Sequence, residues 1–176
     1  MRKAVFLDRD GVINRSEVRG GKPYAPTRVE DFELLPGSAE AMAALRAAGW
    51  LVIVVTNQPD LATGQQDLAG LEAMHRSLRD GSLVDDIKVC PHLASHQCAC
   101  RKPLPGMLVE AAREWDIDLG ASIMVGDRWR DVDAGRAAGC RTIFVDHGYA
   151  ERRPERPDAI VKSLLQAQQL IAQWTA

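Results

Sequence analysis

Short apolar, β-branched runs alternate along this chain with longer segments that have helical spacing. The apolar runs predict strands at residues 3–7, 51–56, 87–90, 122–125, 142–145 and 159–161. The segments between them predict helices at residues 38–48, 68–79, 107–115, 131–138 and 162–174. Continuous apolar strands separated by helices are typical of a parallel sheet that is covered on both faces. The sequence therefore predicts an α/β fold built on a doubly wound parallel sheet.

The length of the chain favours one domain. A chain of 176 residues lies within the usual size range of a single domain with one core. No internal repeat or low-complexity tract divides it, so we predict one domain over residues 1–176. The segment 151–157 mixes charges of both signs around two prolines and predicts a solvated loop.

The overall charge argues against several classes of partner. The chain has 22 basic and 24 acidic residues, a formal net charge of −2, which provides no electrostatic footprint for nucleic acid or an anionic membrane. Its longest apolar stretch, at residues 49–56, is far shorter than the roughly 20 residues that span a bilayer. The N-terminus lacks the apolar core of a signal peptide. We therefore expect a cytoplasmic monomer with no nucleic-acid or membrane partner.

Acidic residues follow two of the predicted strands. Asp8 and Asp10 follow the first strand on the same side of the extended chain, and Asp127 follows the fourth strand after Gly126. Ligands of parallel sheets bind outside the carboxyl ends of the strands. Carboxylates gathered there can bind a hard cation and act as nucleophile and acid–base. Asp8 and Asp10 can alternatively be solvated turn residues. Asp131, four residues after Asp127, can alternatively be a helix-start residue favoured by the macrodipole.

Polar and basic side chains lie at two further positions. Thr56, Asn57 and Gln58 end the second strand and offer a hydroxyl and two amides that can donate to phosphoryl oxygens. Arg101 and Lys102 are adjacent cations that suit an anionic substrate. Thr56 is equally explained as a helix N-cap, and Arg-Lys pairs are common on surfaces. The combination of all these positions, rather than any one of them, predicts a site.

A cluster of cysteines predicts a second, separate metal site. The cysteines are Cys90, Cys98, Cys100 and Cys140. The first three lie close to His92 in the sequence, and without an export signal a metal site is favoured over a disulfide framework. Three thiolates and one imidazole complete a tetrahedral set with no open position, as in structural zinc sites. His96 is an alternative ligand, free thiols in a surface loop are the other interpretation, and Cys140 is expected to be a small buried residue.

In combination and order, these residues resemble the four motifs of the haloacid dehalogenase superfamily of phosphatases, over nearly the whole chain. The matching segments are Asp8-Arg9-Asp10-Gly11, Thr56-Asn57-Gln58, Lys102, and Gly126-Asp127 with Asp131. The zinc loop, residues 90–100 with the following Arg101-Lys102-Pro103, further resembles a zinc-containing group of that superfamily. This group holds D-glycero-D-manno-heptose 1,7-bisphosphate 7-phosphatases and histidinol-phosphate phosphatases, small enzymes without a large cap domain. No insertion of domain size follows either of the first two motifs.

The resemblance implies a magnesium-dependent phosphatase with a covalent intermediate. Asp8 would attack the phosphorus to form an aspartyl-phosphate, and Asp10 would act as general acid and then as general base. Magnesium would be held by Asp8, the main-chain carbonyl of Asp10 and Asp127, while Thr56 and Lys102 hold the phosphoryl oxygens. The expected zinc ligands are Cys90, His92, Cys98 and Cys100. The expected substrate-binding residues are Asn57, Gln58, Arg101 and Arg128.

The substrate expectation depends on opposing charges. Arg101 and Arg128 suit a second phosphate, so the resemblance favours the 7-phosphate of heptose 1,7-bisphosphate. Residues 59–64 depart from the Ser-Gly-Ile-Ala-Arg-Gly of heptose bisphosphatases, and Asp60 there would suit the ammonium group of the alternative, histidinol phosphate. The segment 16–32 is expected to cover the site as a flap. A non-catalytic zinc-stabilised binding module, the non-enzyme alternative, would lack at least one of the acidic or lysine motif residues, all of which are present.

Overall fold

The computed structural model describes residues 1–175. Its strands are β1 (Ala4–Leu7), β2 (Glu17–Arg19), β3 (Lys22–Tyr24), β4 (Leu51–Asn57), β5 (Asp86–Cys90), β6 (Ile123–Gly126), β7 (Arg141–Val145) and β8 (Ala159–Val161). Its α-helices are α1 (Ser38–Ala47), α2 (Asp60–Thr63), α3 (Leu68–Asp80), α4 (Gly106–Trp115), α5 (Trp129–Ala138) and α6 (Leu164–Trp174). Two turns of 3-10 helix cover Val29–Asp31 and Ala94–His96.

Six of these strands form the central sheet, in the order β5-β4-β1-β6-β7-β8. Every pairing in this sheet is parallel. At the end of β1, Leu7 pairs with Val54 on one side and with Val125 on the other. The residues that follow β1, β4 and β6 therefore meet at one edge of the sheet. This arrangement confirms the predicted doubly wound α/β fold.

The core lies on both faces of the sheet, as its continuously apolar strands predict. In β1, Val5 and Leu7 pack into one buried cluster, which includes residues of α1 and α6. Ala4 and Phe6 of the same strand pack into the other cluster, which includes residues of α4 and α5. Cys140 is buried in this second cluster, as expected from the sequence.

The ends of several elements differ from the predicted ones for local reasons. Helix α5 begins at Trp129 rather than at residue 131, because Asp131 is its third residue and its carboxylate accepts a hydrogen bond from the Arg128 N–H at 2.9 Å. Helix α6 begins at Leu164 rather than at residue 162, because the side chain of Ser163 caps it and accepts from the Gln166 N–H. The predicted strands agree with the observed ones to within one residue at each end.

The segment 16–32 contains an antiparallel hairpin, β2 and β3, which the sequence pattern did not predict. Gly20 and Gly21 form its turn, with φ values of 57° and 75°. A two-residue turn with both φ values positive matches the right-handed twist of the strands, and it requires residues such as glycine. Among residues 1–175, no helix combines the length and the apolar character needed to cross a membrane.

Candidate active site

Lys102 occupies the centre of the carboxyl edge of the sheet. Its Nζ lies 2.8 Å from Asp8 Oδ1, 2.7 Å from Asp131 Oδ1 and 2.7 Å from the carbonyl oxygen of Val55. An ammonium group has three protons to donate, so these contacts satisfy it fully. The side chain of Lys102 is only 2 % exposed. The charges of Asp131 and Asp8 raise its pKa even though burial opposes this.

Three carboxylates lie close together at this edge of the sheet, and two of them contact Lys102. Asp8, Asp127 and Asp131 are all buried, and each offers an oxygen within 4.8 Å of the others. Burial, together with the charge of Asp131, raises the pKa of Asp8 to about 6. Burial, together with the charges of Asp8 and Asp131, raises the pKa of Asp127 well above its ordinary value. One lysine does not balance three carboxylates, so the cluster is electrostatically short of a cation.

Asp127 is the residue that most directly indicates this missing cation. Both of its carboxylate oxygens are buried without a hydrogen bond of normal geometry among residues 1–175, and the nearby Tyr149 hydroxyl lowers the pKa of Asp127 less than burial raises it. A buried carboxylate without a partner is costly, and hard divalent cations such as Mg²⁺ prefer carboxylate oxygens. Gly11 makes room for this group, since a Cβ at that position would lie 2.0 Å from Asp127 Oδ2. The donor set therefore fits a magnesium ion.

The residues at the end of β4 that were predicted to donate to phosphoryl oxygens contact other protein groups. Gln58 is buried, and its Nε2 donates to Asp10 Oδ2 at 2.8 Å and to Thr56 Oγ1 at 2.9 Å. The amide of Asn57 forms a reciprocal pair with the main chain of Lys102, at 3.1 Å in each direction. Both amides thus orient other residues of the site. The structure places Gln58 outside the lining of the pocket, in contrast to the expectation that it binds substrate.

An open pocket lies above these residues. Its lining includes Asp8, Asp10, Asp127, Asp131, Asn57 and Lys102 from the sheet edge, with Ser16, Lys22, Pro23, Tyr24 and Ala25 from the hairpin segment. The hairpin therefore forms one wall of the pocket, which agrees with the expected flap. Pro59, Asp60, Arg101, Arg128 and Arg130 complete the lining.

The guanidinium groups give the pocket a positive side. Arg128 donates through Nε and Nη2 to the two carboxylate oxygens of Glu151, at 2.9 and 2.5 Å. Arg101 donates from Nη1 to the carbonyl oxygen of His92 at 2.9 Å. Arg130 has no ion-pair partner in the described part of the chain, and burial together with the charges of Arg128 and Arg101 lowers its pKa. Arg101 and Arg130, which form no ion pair with a carboxylate among residues 1–175, favour binding of an anion at this wall.

Asp131, which belongs to the fourth motif of the resemblance, accepts from the Arg128 N–H as a helix-start residue does, and its other oxygen binds Lys102. Sequence reasoning missed two other residues of the site, Arg130 and Glu151. Arg130 lies one helical position before Asp131 and also faces the pocket. Glu151 gave no signal, because it comes from a loop whose position depends on the whole fold.

The zinc loop brings its predicted ligands together. Cys90 Sγ lies 3.6 Å from both His92 Nδ1 and Cys98 Sγ, and Cys100 Sγ lies 3.3 Å from His92 Nδ1 and 3.4 Å from Cys98 Sγ. Zinc bonds of about 2.3 Å to sulfur and about 2.0–2.1 Å to nitrogen imply tetrahedron edges of roughly this length. His96 is outside the cluster, because its Nδ1 accepts from the Leu93 N–H at 3.2 Å. The four grouped residues could therefore bind a metal ion.

Comparison with known proteins establishes the family. D-glycero-β-D-manno-heptose-1,7-bisphosphate 7-phosphatase of Bordetella bronchiseptica is 44% identical over 151 residues, which cover 83% of this chain and 82% of that protein. The chain belongs to the haloacid dehalogenase-like hydrolases, in the group of heptose-1,7-bisphosphate 7-phosphatases. A family model described as HAD-hydrolase-like also matches residues 99–167. Membership of this group makes the chain a phosphomonoester hydrolase.

A further relative and a solved structure agree with this family. The D-glycero-α-D-manno-heptose-1,7-bisphosphate 7-phosphatase of Mycobacterium tuberculosis is 39% identical over 152 residues, covering 80% of this chain and 78% of that protein. The crystal structure of D,D-heptose 1,7-bisphosphate phosphatase from Bordetella bronchiseptica, complexed with magnesium and phosphate, has a TM-score of 0.81. It is 35% identical, and the match covers 98% of this chain and 99% of that one.

Proposed function

We propose that this chain removes the 7-phosphate of D-glycero-D-manno-heptose 1,7-bisphosphate by way of an aspartyl-phosphate. The observation that carries this proposal is Asp8, a buried carboxylate that lines the pocket and is held by Lys102. A carboxylate nucleophile splits a difficult hydrolysis into two easier displacements. The names of the similar proteins support the choice of substrate.

The reaction would proceed in two displacements. In the first, an oxygen of Asp8 forms a bond to phosphorus while the bond from phosphorus to the sugar oxygen breaks, and Asp10 gives that oxygen a proton. In the second, Asp10 takes a proton from water as the water oxygen attacks phosphorus and releases Asp8. Lys102 would offset negative charge on the phosphoryl group, and the neutral hydroxyl of Thr56 would donate a hydrogen bond to it.

Magnesium would be held by Asp8, Asp127 and the main-chain carbonyl of Asp10. When bound, it supplies positive charge that offsets the repulsion between a phosphate and a carboxylate nucleophile. Asp131 would act beside the ion, because it holds both Lys102 Nζ and the Arg128 N–H. The unpartnered oxygens of Asp127 support this assignment.

Asp131→Asn is expected to raise the magnesium concentration needed for half-maximal activity by about 10–100-fold, because it removes a negative charge close to Asp8 and Asp127, and the loss of such outer groups usually has an effect of this size. A magnesium titration of phosphate release measures this. Asp133→Asn, on the same helix and outside the pocket lining, is the matched control and should leave the titration unchanged. An unaltered midpoint in Asp131→Asn would contradict the proposed support.

Zinc is the proposed occupant of the cysteine cluster, in a structural role. Four ligands leave no position open for water or substrate. The loop ends directly before Arg101 and Lys102, and Arg101 returns to it through the carbonyl of His92. The metal would therefore hold in place the segment that supplies two cations to the pocket.

The arginines of the pocket support a bisphosphate as the substrate. Lys102 is already fully engaged by protein groups, while Arg101, Arg128 and Arg130 line the same pocket around it. A second phosphate would accept charge-assisted hydrogen bonds from such groups. Asp60 favours the alternative, histidinol phosphate, because it lines the pocket and could face an ammonium group. Burial and the charge of Asp10 raise the pKa of Asp60.

Wild-type enzyme is expected to have a higher kcat/KM for D-glycero-D-manno-heptose 1,7-bisphosphate than for histidinol phosphate. Arg101→Ala should lower the first value by about 10–100-fold, from a lost charge-assisted hydrogen bond, and the second value much less. Arg113→Ala, an exposed arginine of α4 that does not line the pocket, is the control. A wild-type ratio below one would overturn the substrate and leave the phosphatase chemistry standing.

A further inference from the structure

Arg9 is fully buried directly behind the site. It separates Asp8 from Asp10 in the chain, and unlike those two residues it does not line the pocket. Its guanidinium donates to Asp10 Oδ1 from Nη2 at 2.8 Å and from Nε at 3.1 Å. Arg9 is 0% exposed, whereas the side chain of Asp10 is 14% exposed and faces the pocket.

The two oxygens of Asp10 have different surroundings. Oδ1 accepts both bonds from Arg9 and a third from Asn14 Nδ2 at 2.9 Å. Within residues 1–175, Oδ2 accepts only one bond, from Gln58 Nε2 at 2.8 Å. A carboxylate offers about two acceptor positions on each oxygen. Oδ1 is therefore fully occupied by protein donors, and Oδ2 is the oxygen that keeps a position for a proton.

The position of Arg9 is itself fixed from the far side. Its Nη1 lies 3.1 Å from Nε2 of His75 in α3, and its guanidinium carbon lies 5.4 Å from the ring centre of Phe32. Burial and the charge of Arg9 lower the pKa of His75 to about 4, so at neutral pH the imidazole is uncharged and accepts this hydrogen bond. Asp10 is the only carboxylate in ion-pair contact with Arg9 among residues 1–175.

We infer that Arg9 is a positioning residue, which holds Asp10 by Oδ1 so that Oδ2 exchanges the proton with the sugar oxygen. This inference rests on the proposed function. As the bond from phosphorus to the sugar oxygen breaks, its electron pair stays on that oxygen, and the proton moves to it from Oδ2. Asp10 is then a carboxylate, and Oδ2 accepts a proton from the attacking water. Without the two bonds from Arg9, the carboxylate can rotate and exchange the two oxygens.

The test compares a substrate whose leaving group needs a proton with one whose leaving group does not. Arg9→Met should lower kcat/KM for the sugar bisphosphate by about 10–100-fold, since general acid catalysis contributes 10²–10⁴-fold. For p-nitrophenyl phosphate, whose phenolate leaves without protonation, the loss should be at least about tenfold smaller. Equal losses on both substrates would mean a merely structural role and would overturn the inference. Arg79→Met, an exposed arginine of α3, is the control and should change neither value.

A double-mutant cycle on the sugar bisphosphate gives a second, independent readout. If Arg9 acts through Asp10, Arg9→Met combined with Asp10→Asn should be no slower than Asp10→Asn alone. Multiplying losses would overturn the inference. If Arg9→Met does not fold, Arg9→Lys, which keeps the buried charge but not the two-pronged contact, decides the question by the same ratio and cycle. A wild-type enzyme that hydrolyses neither substrate would instead refute the proposed function.

Discussion

Asp8→Asn is expected to eliminate phosphate release while leaving the fold intact. The proposed reaction depends on a bond between an Asp8 oxygen and phosphorus, and a neutral amide is a far weaker nucleophile than a carboxylate. Removing a catalytic nucleophile has cost on the order of 10⁶ in kcat in a well-studied protease, so we expect a loss of at least ~10⁴-fold here. Phosphate release by the metal-loaded variant, measured beside wild type, tests this.

The stability of the same variant separates lost chemistry from a lost fold. Burial and the charge of Asp131 raise the pKa of Asp8 to about 6, so its ionised form destabilises the folded state at higher pH. Stability from this group is greatest below its unfolded pKa and decreases as the pH rises through about 6. Without metal at pH 7, Asp8→Asn should therefore melt no lower than wild type. Asp80→Asn, at the exposed end of α3, is the control for activity. Substantial turnover by a folded Asp8→Asn would refute Asp8 as the nucleophile.

The sheet and the strand-end residues were predictable because they depend on local patterns. Continuous apolar runs, without alternating polar residues, identify β1, β4 and β6. Parallel pairing then brings the carboxyl ends of these strands together. Asp8 and Asp127 could be placed at one site for this reason alone. Lys102 lies 94 positions from Asp8 in the chain, so its place beside that carboxylate depended on the resemblance rather than on periodicity.

Other features depend on contacts that no local pattern encodes. The hairpin strands are three residues each and almost entirely exposed, so they lack the apolar alternation that identifies a strand. A polar residue after a strand can face either the pocket or its neighbours, and Gln58 does the latter. Arg9 has no assigned role within its sequence motif, yet it is fully buried against Asp10. Only the assembled fold distinguishes these cases.

Replacing Cys98 is expected to affect metal content, stability and activity together. Cys98 Sγ lies 3.6 Å from Cys90 Sγ and 3.4 Å from Cys100 Sγ, so it belongs to the proposed tetrahedron. We expect wild type purified without chelator to hold about one zinc per chain, and Cys98→Ser to hold much less. Structural zinc contributes about 10–16 kcal/mol in zinc-finger peptides. The loss here should be smaller, about 3 kcal/mol, because the sheet persists without the loop, and it should lower the melting temperature by about 10 °C.

Cys98→Ser should also lose activity, because the zinc loop positions the two cations that follow it. Arg101 depends on the loop through its bond to the His92 carbonyl, whereas the main chain of Lys102 is also held by Asn57. Binding of the second phosphate should therefore weaken more than the chemistry at the first, which raises KM more than it lowers kcat. Cys140→Ser, a buried cysteine outside the cluster, should retain the zinc and serves as control. A wild type without zinc, or a Cys98→Ser that melts like wild type, would contradict the structural metal.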